Sequence, residues 1–446
     1  MAQGTKSRPL RIAMFTGTFP AISETFIQRQ ITGLIDLGHE VEIFSDTRPD
    51  AGPLLHADVK RYGVLERTVY MDMPPETAPW EMPVWPITAQ TWPPGAEKPV
   101  SNAARVKRSL PDIAIAFRHA PKLTAKAMLH SEYSYRAASL SAVCRLARLA
   151  GVTKEFDVLH AHFGPVGESF RFARELWGAP LVVSFHGYDF TTIPRKEGSS
   201  VYTKLFATAD AVTANSRFTN RRLVELGCPA KKLHRLPTGL DPGQFRFRER
   251  TIGSGELARI LSIARLVPIK GLAYALEAVA RVGAKHRKVH FDIVGDGPLR
   301  GELEKLAVRL GIADSVRFHG ALTQGQVCEL MDAAHIFLHT SVTTDGDAEG
   351  QGLVLLEAQA AGLPVIATRH GAFPEALLDG ESGYLVPERD VEAVAERLNF
   401  LIENPPLWHS MGRKGRAFVE KHFNIRDLNR ALEELYHDVI GSFRHE

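Results

Sequence analysis

Two glutamates eight positions apart, Glu349 and Glu357, bracket Gly350-Gln351-Gly352-Leu353 and the apolar run Val354-Leu355-Leu356. Glycines at the entrance of a helix let backbone N–H groups approach a phosphate, and the helix dipole favours that negative charge. The pattern predicts a helix to about Ala361, with Gly362 as its C-terminal stop and Pro364 beyond. Glu357 then lies about two turns in. Helical side chains lean back towards the N-terminus, so its carboxylate can face a ligand seated near that end. A carboxylate there repels phosphate but accepts hydrogen bonds from ribose hydroxyls. Gly350 and Gly352 therefore suit a diphosphate, Glu357 a ribose and Glu349 a sugar, with Gln351 and Leu353 in the same donor-binding turn.

A second cluster, Ala264-Arg265-Leu266-Val267-Pro268-Ile269-Lys270-Gly271, follows the strand pattern Ile260–Ala264. Arg265 and Lys270 project from a loop at that strand's carboxyl end. Two cations converging there can neutralise a diphosphate and stabilise it as it leaves. Earlier in the chain, Phe185-His186-Gly187-Tyr188-Asp189 follows another strand run. A lone histidine in such a place is more often structural; the adjacent glycine and aspartate point to a site. His160 and His162 alternate along a further strand end, and His162-Phe163-Gly164 is a candidate lining of a cleft. Asp345-Gly346-Asp347 has the spacing to hold Mg²⁺ against a diphosphate. Because Arg265 and Lys270 already supply that charge, no bound metal is expected.

The elements that position these residues read as two successive βα arrays. In the first, Leu10–Phe15 is a strand, Gly17-Thr18-Phe19-Pro20 a turn, and Ser23 an N-cap for a helix ending at Gly38. Further strands are expected at Val41–Phe44, Asp157–His160, Leu181–Phe185 and Ala211–Ala214, with helices near Val166–Trp177 and from Arg217 to Gly227. The Pro-rich stretch 45–100 reads as an irregular insertion. The second array has strands at Ile260–Ala264, His290–Val294, Val316–His319, Ile336–His339 and Val365–Ala367. This alternation implies parallel sheets covered by helices on both faces, with ligand loops at the strand carboxyl ends. The expected domains are 1–243, a linker at 244–256, then 257–422, with 423–446 a C-terminal helix able to pack back on the first domain. A chain of 446 residues suits two such domains facing a shared cleft.

Composition narrows the class. Cys144, Cys228 and Cys328 are odd in number and lack metal-ligand spacing, which favours a reducing compartment. No apolar run reaches the roughly 18 residues of a membrane span, and Met1–Pro9 shows no secretory signal. The expected location is cytoplasmic. Net charge is only +3, but Arg105 to Arg148 holds nine basic residues against two acidic ones. A basic, partly amphipathic stretch attracts anionic lipid or nucleic acid; without a nucleic-acid motif, the expected partner is the inner face of the plasma membrane, bound peripherally.

Segments 260–271, 293–298 (Ile293-Val294-Gly295-Asp296-Gly297-Pro298) and 347–368 together resemble the nucleotide-sugar-binding domain of family-4 (group 1) glycosyltransferases. The resemblance implies an α/β GT-B fold of two Rossmann-like domains, retention of anomeric configuration, and neither cofactor nor essential metal. It implies that Arg265 and Lys270 bind the donor diphosphate, Glu349 the donor sugar and Glu357 the ribose, and it places Gly295 and Gly297 in the donor site. His186-Gly187-Tyr188-Asp189 is similar to the family's active-site segment, which puts His186 near the reacting carbon and Asp189 in a donor-binding or orienting role. Many members carry paired glycines in the first loop. Gly17-Thr18-Phe19-Pro20-Ala21-Ile22-Ser23-Glu24 replaces them here and resembles a subgroup of exopolysaccharide assembly. That makes Gly17 a donor contact, with Ser23, Glu24 and His162 facing the acceptor, a lipid-linked or free oligosaccharide. Two other classes fit the same fold: a nucleotide-sugar epimerase, and a non-catalytic sugar-nucleotide-binding scaffold subunit.

Overall fold

The computed structural model describes residues 8–21, 24–49, 57–72, 102–253, 255–286 and 289–445. The first sheet is parallel throughout and contains β1 (Arg11–Thr18), β2 (Glu40–Thr47), β3 (Thr68–Tyr70), β4 (Val158–His162), β5 (Leu181–Phe185), β6 (Ala211–Ala214) and β7 (Leu233–Arg235). Its order is β3-β2-β1-β4-β5-β6-β7. The second sheet, also parallel, contains β8 (Ala258–Ile263), β9 (Val289–Val294), β10 (Val316–Gly320), β11 (Ile336–His339), β12 (Val365–Thr368) and β13 (Gly383–Val386), in the order β10-β9-β8-β11-β12-β13. Strand order reverses between β1 and β4 in one sheet and between β8 and β11 in the other. Crevices at such reversals, outside the strand carboxyl ends, are where ligands bind in open α/β sheets.

Period-two alternation builds the second domain's two half-cores. Ile260, Ile336, Leu338 and Ile366 face one side, beneath the helices Leu272–His286 and Val391–Glu403. Leu261, Phe337, Val365 and Ala367 face the other, against Leu355 and Leu356 of the helix Leu353–Ala360. Strands buried on both faces carry nearly continuous apolar runs, which is why the sequence signals them clearly.

Three features depart from the simple reading. Part of 45–100 is regular: β2 extends to Thr47, a short helix covers Ala57–Arg61, and β3 adds an edge strand. The helix expected near Val166–Trp177 is two helices, Gly164–Phe170 and Ala173–Trp177. Residues 245–252 of the expected linker pack on the second domain, with Phe245 in its core and the Arg250 guanidinium donating to the carbonyls of Asp332, Ala334 and Ala361.

The chain ends in the helix Ile425–Phe443, which returns to the first domain. Leu432, Leu435, Tyr436, Val439 and Ile440 recur at helical spacing and enter that domain's core. The Tyr436 hydroxyl meets His160 Nδ1 at 2.6 Å.

Candidate active site

In the second domain, the loop after β8 turns through a 3₁₀ segment, Pro268–Lys270, into Gly271 with φ +57°. A Cβ at Gly271 would lie 2.1 Å from the Thr340 carbonyl oxygen, so glycine permits the close approach of the β8 loop to the end of β11. That approach brings Lys270 Nζ to 2.5 Å from Glu349 Oε1. Burial alone would raise the Glu349 carboxyl, but the Lys270 ammonium outweighs it and holds the pKa below the ordinary value. Glu349 is held through its main chain as well. Its N–H donates to His370 Nε2 at 3.1 Å, while His370 Nδ1 sits 2.7 Å from Glu388 Oε1. An ionised carboxylate only accepts, so a neutral His370 carries its proton on Nδ1 and accepts through Nε2. Glu388 also takes the Thr343 N–H at 2.7 Å. His339, at the end of β11, is fully buried and neutral: burial first, then Lys270, pushes its pKa down to about 3.

The remaining second-domain candidates lie on the loops and the helix start that carry this pair and on the loop after β9. Gly352 is the N-cap of the helix Leu353–Ala360, so that helix begins four residues beyond Glu349. Arg265 is exposed at the carboxyl end of β8. Gly295 and Gly297 shape its loop: a Cβ on them would lie 1.9 Å from the Ala264 oxygen and 2.6 Å from the Leu266 oxygen. Gln351 is spent on the chain itself, accepting from the Thr238 N–H at 2.8 Å and donating to the Thr238 carbonyl at 2.6 Å. Asp347, of the Asp-x-Asp spacing, accepts a hydrogen bond from the Thr191 hydroxyl of the first domain.

In the first domain, β5 delivers His186. Its loop is pinned by Asp189, whose carboxylate accepts from the N–H groups of Gly187 (2.7 Å), His186 (3.1 Å) and Gly164 (3.2 Å). Burial pushes the Asp189 carboxyl up to about 6 against those donors. The structure therefore gives Asp189 a clear grip on the His186 loop. His186 Nε2 lies 3.0 Å from His162 Nδ1, and burial lowers its pKa to about 3. His186 Nδ1 and His162 Nε2 are buried without a hydrogen-bond partner among the described residues. His160, one strand step deeper, bonds Ser184 and Tyr436 and is structural. Gly17 is the seventh residue of β1, with its carbonyl accepting from Ser45. Glu24 starts the next helix, its carboxyl raised to about 7 by burial and then by Asp189. Ser23 lies outside the described residues.

The two halves meet at these residues. Gly350 touches the His186 main chain so closely that a Cβ would lie 2.3 Å from the His186 oxygen. Glu375 of the second domain caps the helix Arg217–Glu225 of the first, accepting from the Arg217 and Phe218 N–H groups. Arg29, on the helix Thr25–Asp36, reaches Glu357 with its Nη1 3.5 Å from Oε1. The His186 loop thus lies against the segment that carries Glu349 and its partner Lys270, and Arg29 with Glu357 makes a further contact between the halves. Sequence reasoning missed Arg29, His339, His370 and Glu388. His339 and His370 end or follow strands that the pattern located, and the carboxyl-end rule could have found them.

Comparison with known proteins agrees with this architecture. Residues 245–418 match the family model described as glycosyl transferases group 1, and residues 23–239 match a glycosyl transferase 4-like domain. WcaL of Salmonella typhimurium, a protein named for colanic acid biosynthesis, is 32% identical over 96% of this chain and 100% of its own. The chain belongs to the group 1 glycosyltransferases. AmsK of Erwinia amylovora, an amylovoran biosynthesis glycosyltransferase, is 30% identical over 96% of this chain and 99% of its own. The crystal structure of Anabaena HepE with UDP and glucose superposes with a TM-score of 0.65 over 96% of this chain and 100% of that one, at 17% identity. This glycosyltransferase therefore has the GT-B fold. Among the described residues no helix is long and apolar enough to cross a membrane.

Proposed function

We propose that this glycosyltransferase moves a hexose from a UDP- or GDP-linked donor to a hydroxyl of a lipid-linked oligosaccharide, with retention and without a metal, in exopolysaccharide assembly. The Lys270–Glu349 pair beside the helix N-terminus carries the reading. In the reaction the acceptor oxygen bonds to the anomeric carbon, the bond from that carbon to the diphosphate breaks, and the hydroxyl proton passes to the departing phosphate oxygen. Lys270, Arg265 and the helix N-terminus face the developing charge, where preorganised donors are most effective. Glu349 remains a carboxylate beside Lys270 and is suited to accept hydrogen bonds from the sugar. The names of WcaL and AmsK support the choice of pathway. The test is thermal stability with UDP, GDP, ADP and dTDP, with and without Mg²⁺. At about 100 times its dissociation constant, one nucleotide should stabilise the fold by roughly 2.7 kcal/mol without metal, and Glu357→Ala should cut that shift to about half or less. No shift with any of the four would sink the donor-site reading.

The acceptor's lipid anchor suggests a docking surface, proposed here as the exposed part of the basic stretch. Of its nine basic residues, Arg145 is buried on Asp46, and Arg148 pairs with Asp112. Lys107, Arg108, Arg118 and Lys122 are exposed. On the helix Asn102–His119, Val106, Leu110 and Phe117 are exposed at spacings that place them on one face. An apolar stripe flanked by cations suits an anionic membrane, each basic residue contributing about 1 kcal/mol. The protein should co-sediment with phosphatidylglycerol-containing vesicles at low salt, and Leu110→Asp/Phe117→Asp should weaken this about tenfold or more. Equal sedimentation of the double variant would remove this surface from consideration.

A further inference from the structure

Arg29 is a charged residue in an unusual place. Its side chain is only 6% exposed, and none of Nε, Nη1 and Nη2 makes a hydrogen bond to a described residue. A buried guanidinium with idle donors is costly, and such groups are retained where something else uses them. Its main chain is fixed from behind: the helix Thr25–Asp36 packs on the C-terminal helix Ile425–Phe443, and Asn429 Nδ2 donates to the Arg29 carbonyl at 3.4 Å. The guanidinium is thereby aimed across the cleft. Its ionic partner there is Glu357, at 3.5 Å.

We propose that Arg29 is a positioning residue for the donor ribose: reaching across the cleft to Glu357, it fixes the carboxylate that takes the ribose hydroxyls, so the ribose site is complete only when both domains are together. The proposal rests on the donor-site reading of Glu357. A carboxylate offers about four lone-pair directions, and one ionic contact leaves the others for two vicinal hydroxyls. Glu357 is faced by Arg29 from the first domain and by the Cys328 thiol from the helix Gln324–Ala333. Burial raises the Glu357 carboxyl and Arg29 opposes that rise. Burial, then Glu357, also raises the thiol, which stays neutral. Only the carboxylate form accepts from both hydroxyls, so losing Arg29 should move the acid loss of binding to higher pH.

The test compares UDP with dUDP, and GDP with dGDP, by calorimetry between pH 5.5 and 8 on wild type, Arg29→Ala, Arg29→Lys and Glu357→Ala. Wild type should prefer the ribonucleotide about tenfold or more, the effect of hydrogen bonds to a charged group. Arg29→Ala should lose most of that preference and shift the acid limb up by about one pH unit or more. Arg29→Lys, which keeps the charge and guards against a folding defect, should retain part of both. In kinetics the loss should appear in KM for the donor, with kcat less affected. An unchanged ribose preference and an unchanged pH profile in Arg29→Ala would overturn the proposal. An unchanged preference in Glu357→Ala would instead overturn the ribose assignment on which it rests.

Discussion

Lys270→Ala is expected to lower kcat/KM by about a hundredfold to a thousandfold, the scale found when one preorganised donor is removed from a developing negative charge. The expectation follows from where Lys270 sits. The ammonium is only 15% exposed, so its field at the cleft is weakly screened, and it lies 2.5 Å from a carboxylate that is 19% exposed. Removing it has a second consequence. Burial then acts on Glu349 with less opposition, its carboxyl pKa rises, and the ionised form is lost at a higher pH than in wild type. The activity of Lys270→Ala should therefore fall on acidification from a higher pH, beyond its overall loss. Glu349→Ala should lose activity to a similar degree, and the double variant should lose much less than the product of the two, because the residues act as a unit. Steady-state kinetics from pH 5.5 to 8.5, on proteins shown by circular dichroism to be folded, decides the matter. Single variants within about threefold of wild type, a difference under about 1 kcal/mol, would remove the pair from the mechanism.

Lys270 and Glu349 were each legible as candidates from two local rules, but their pairing was not. Lys270 comes after a strand run, and Glu349 comes before a glycine-led helix. His186 and Asp189 were legible for the same reason. The central strands β5, β6 and β11 were placed to the residue, being apolar runs buried on both faces. The edge strands β3, β7 and β13 escaped because they are three or four residues long and carry exposed or half-buried side chains. Glu388 escaped with β13, since no strand end pointed to it. Arg29 and Gln351 were illegible for a different reason. Arg29 lies on a helix with Ile27, Ile31 and Leu34, and nothing local says that its guanidinium crosses to another domain. Gln351 reads as part of a phosphate-binding turn, yet its amide is committed to Thr238. Contacts between domains are set by how two finished surfaces meet, and neither sequence period encodes that.

Gly350 shows the same limit and yields the sharpest structural prediction. The helix entrance marks it as a phosphate-approach glycine, whereas a side chain there would first meet the His186 carbonyl. Its φ is not in the left-handed region, so conformational freedom is not the reason for a glycine here. Space is the reason: a methyl would lie 2.3 Å from the His186 oxygen and 3.2 Å from the Phe190 ring. That oxygen cannot swing aside cheaply, since Asn215 Nδ2 donates to it at 3.0 Å and Asp189 pins the loop. Gly350→Ala must therefore separate the His186 loop from the Glu349 segment by about 1 Å, a displacement that can cost about a hundredfold in rate. The loss is expected mainly in kcat, with nucleotide affinity changed less, because Arg265, Lys270 and Glu357 stay together on one domain and only the Arg29 contact to Glu357 spans the two halves. Gly325→Ala, where a Cβ meets nothing within 4 Å, is the control and should be silent. If Gly350→Ala instead keeps its kcat and loses nucleotide binding, the glycine serves the phosphate alone. The contact between the halves would then have no part in the chemistry.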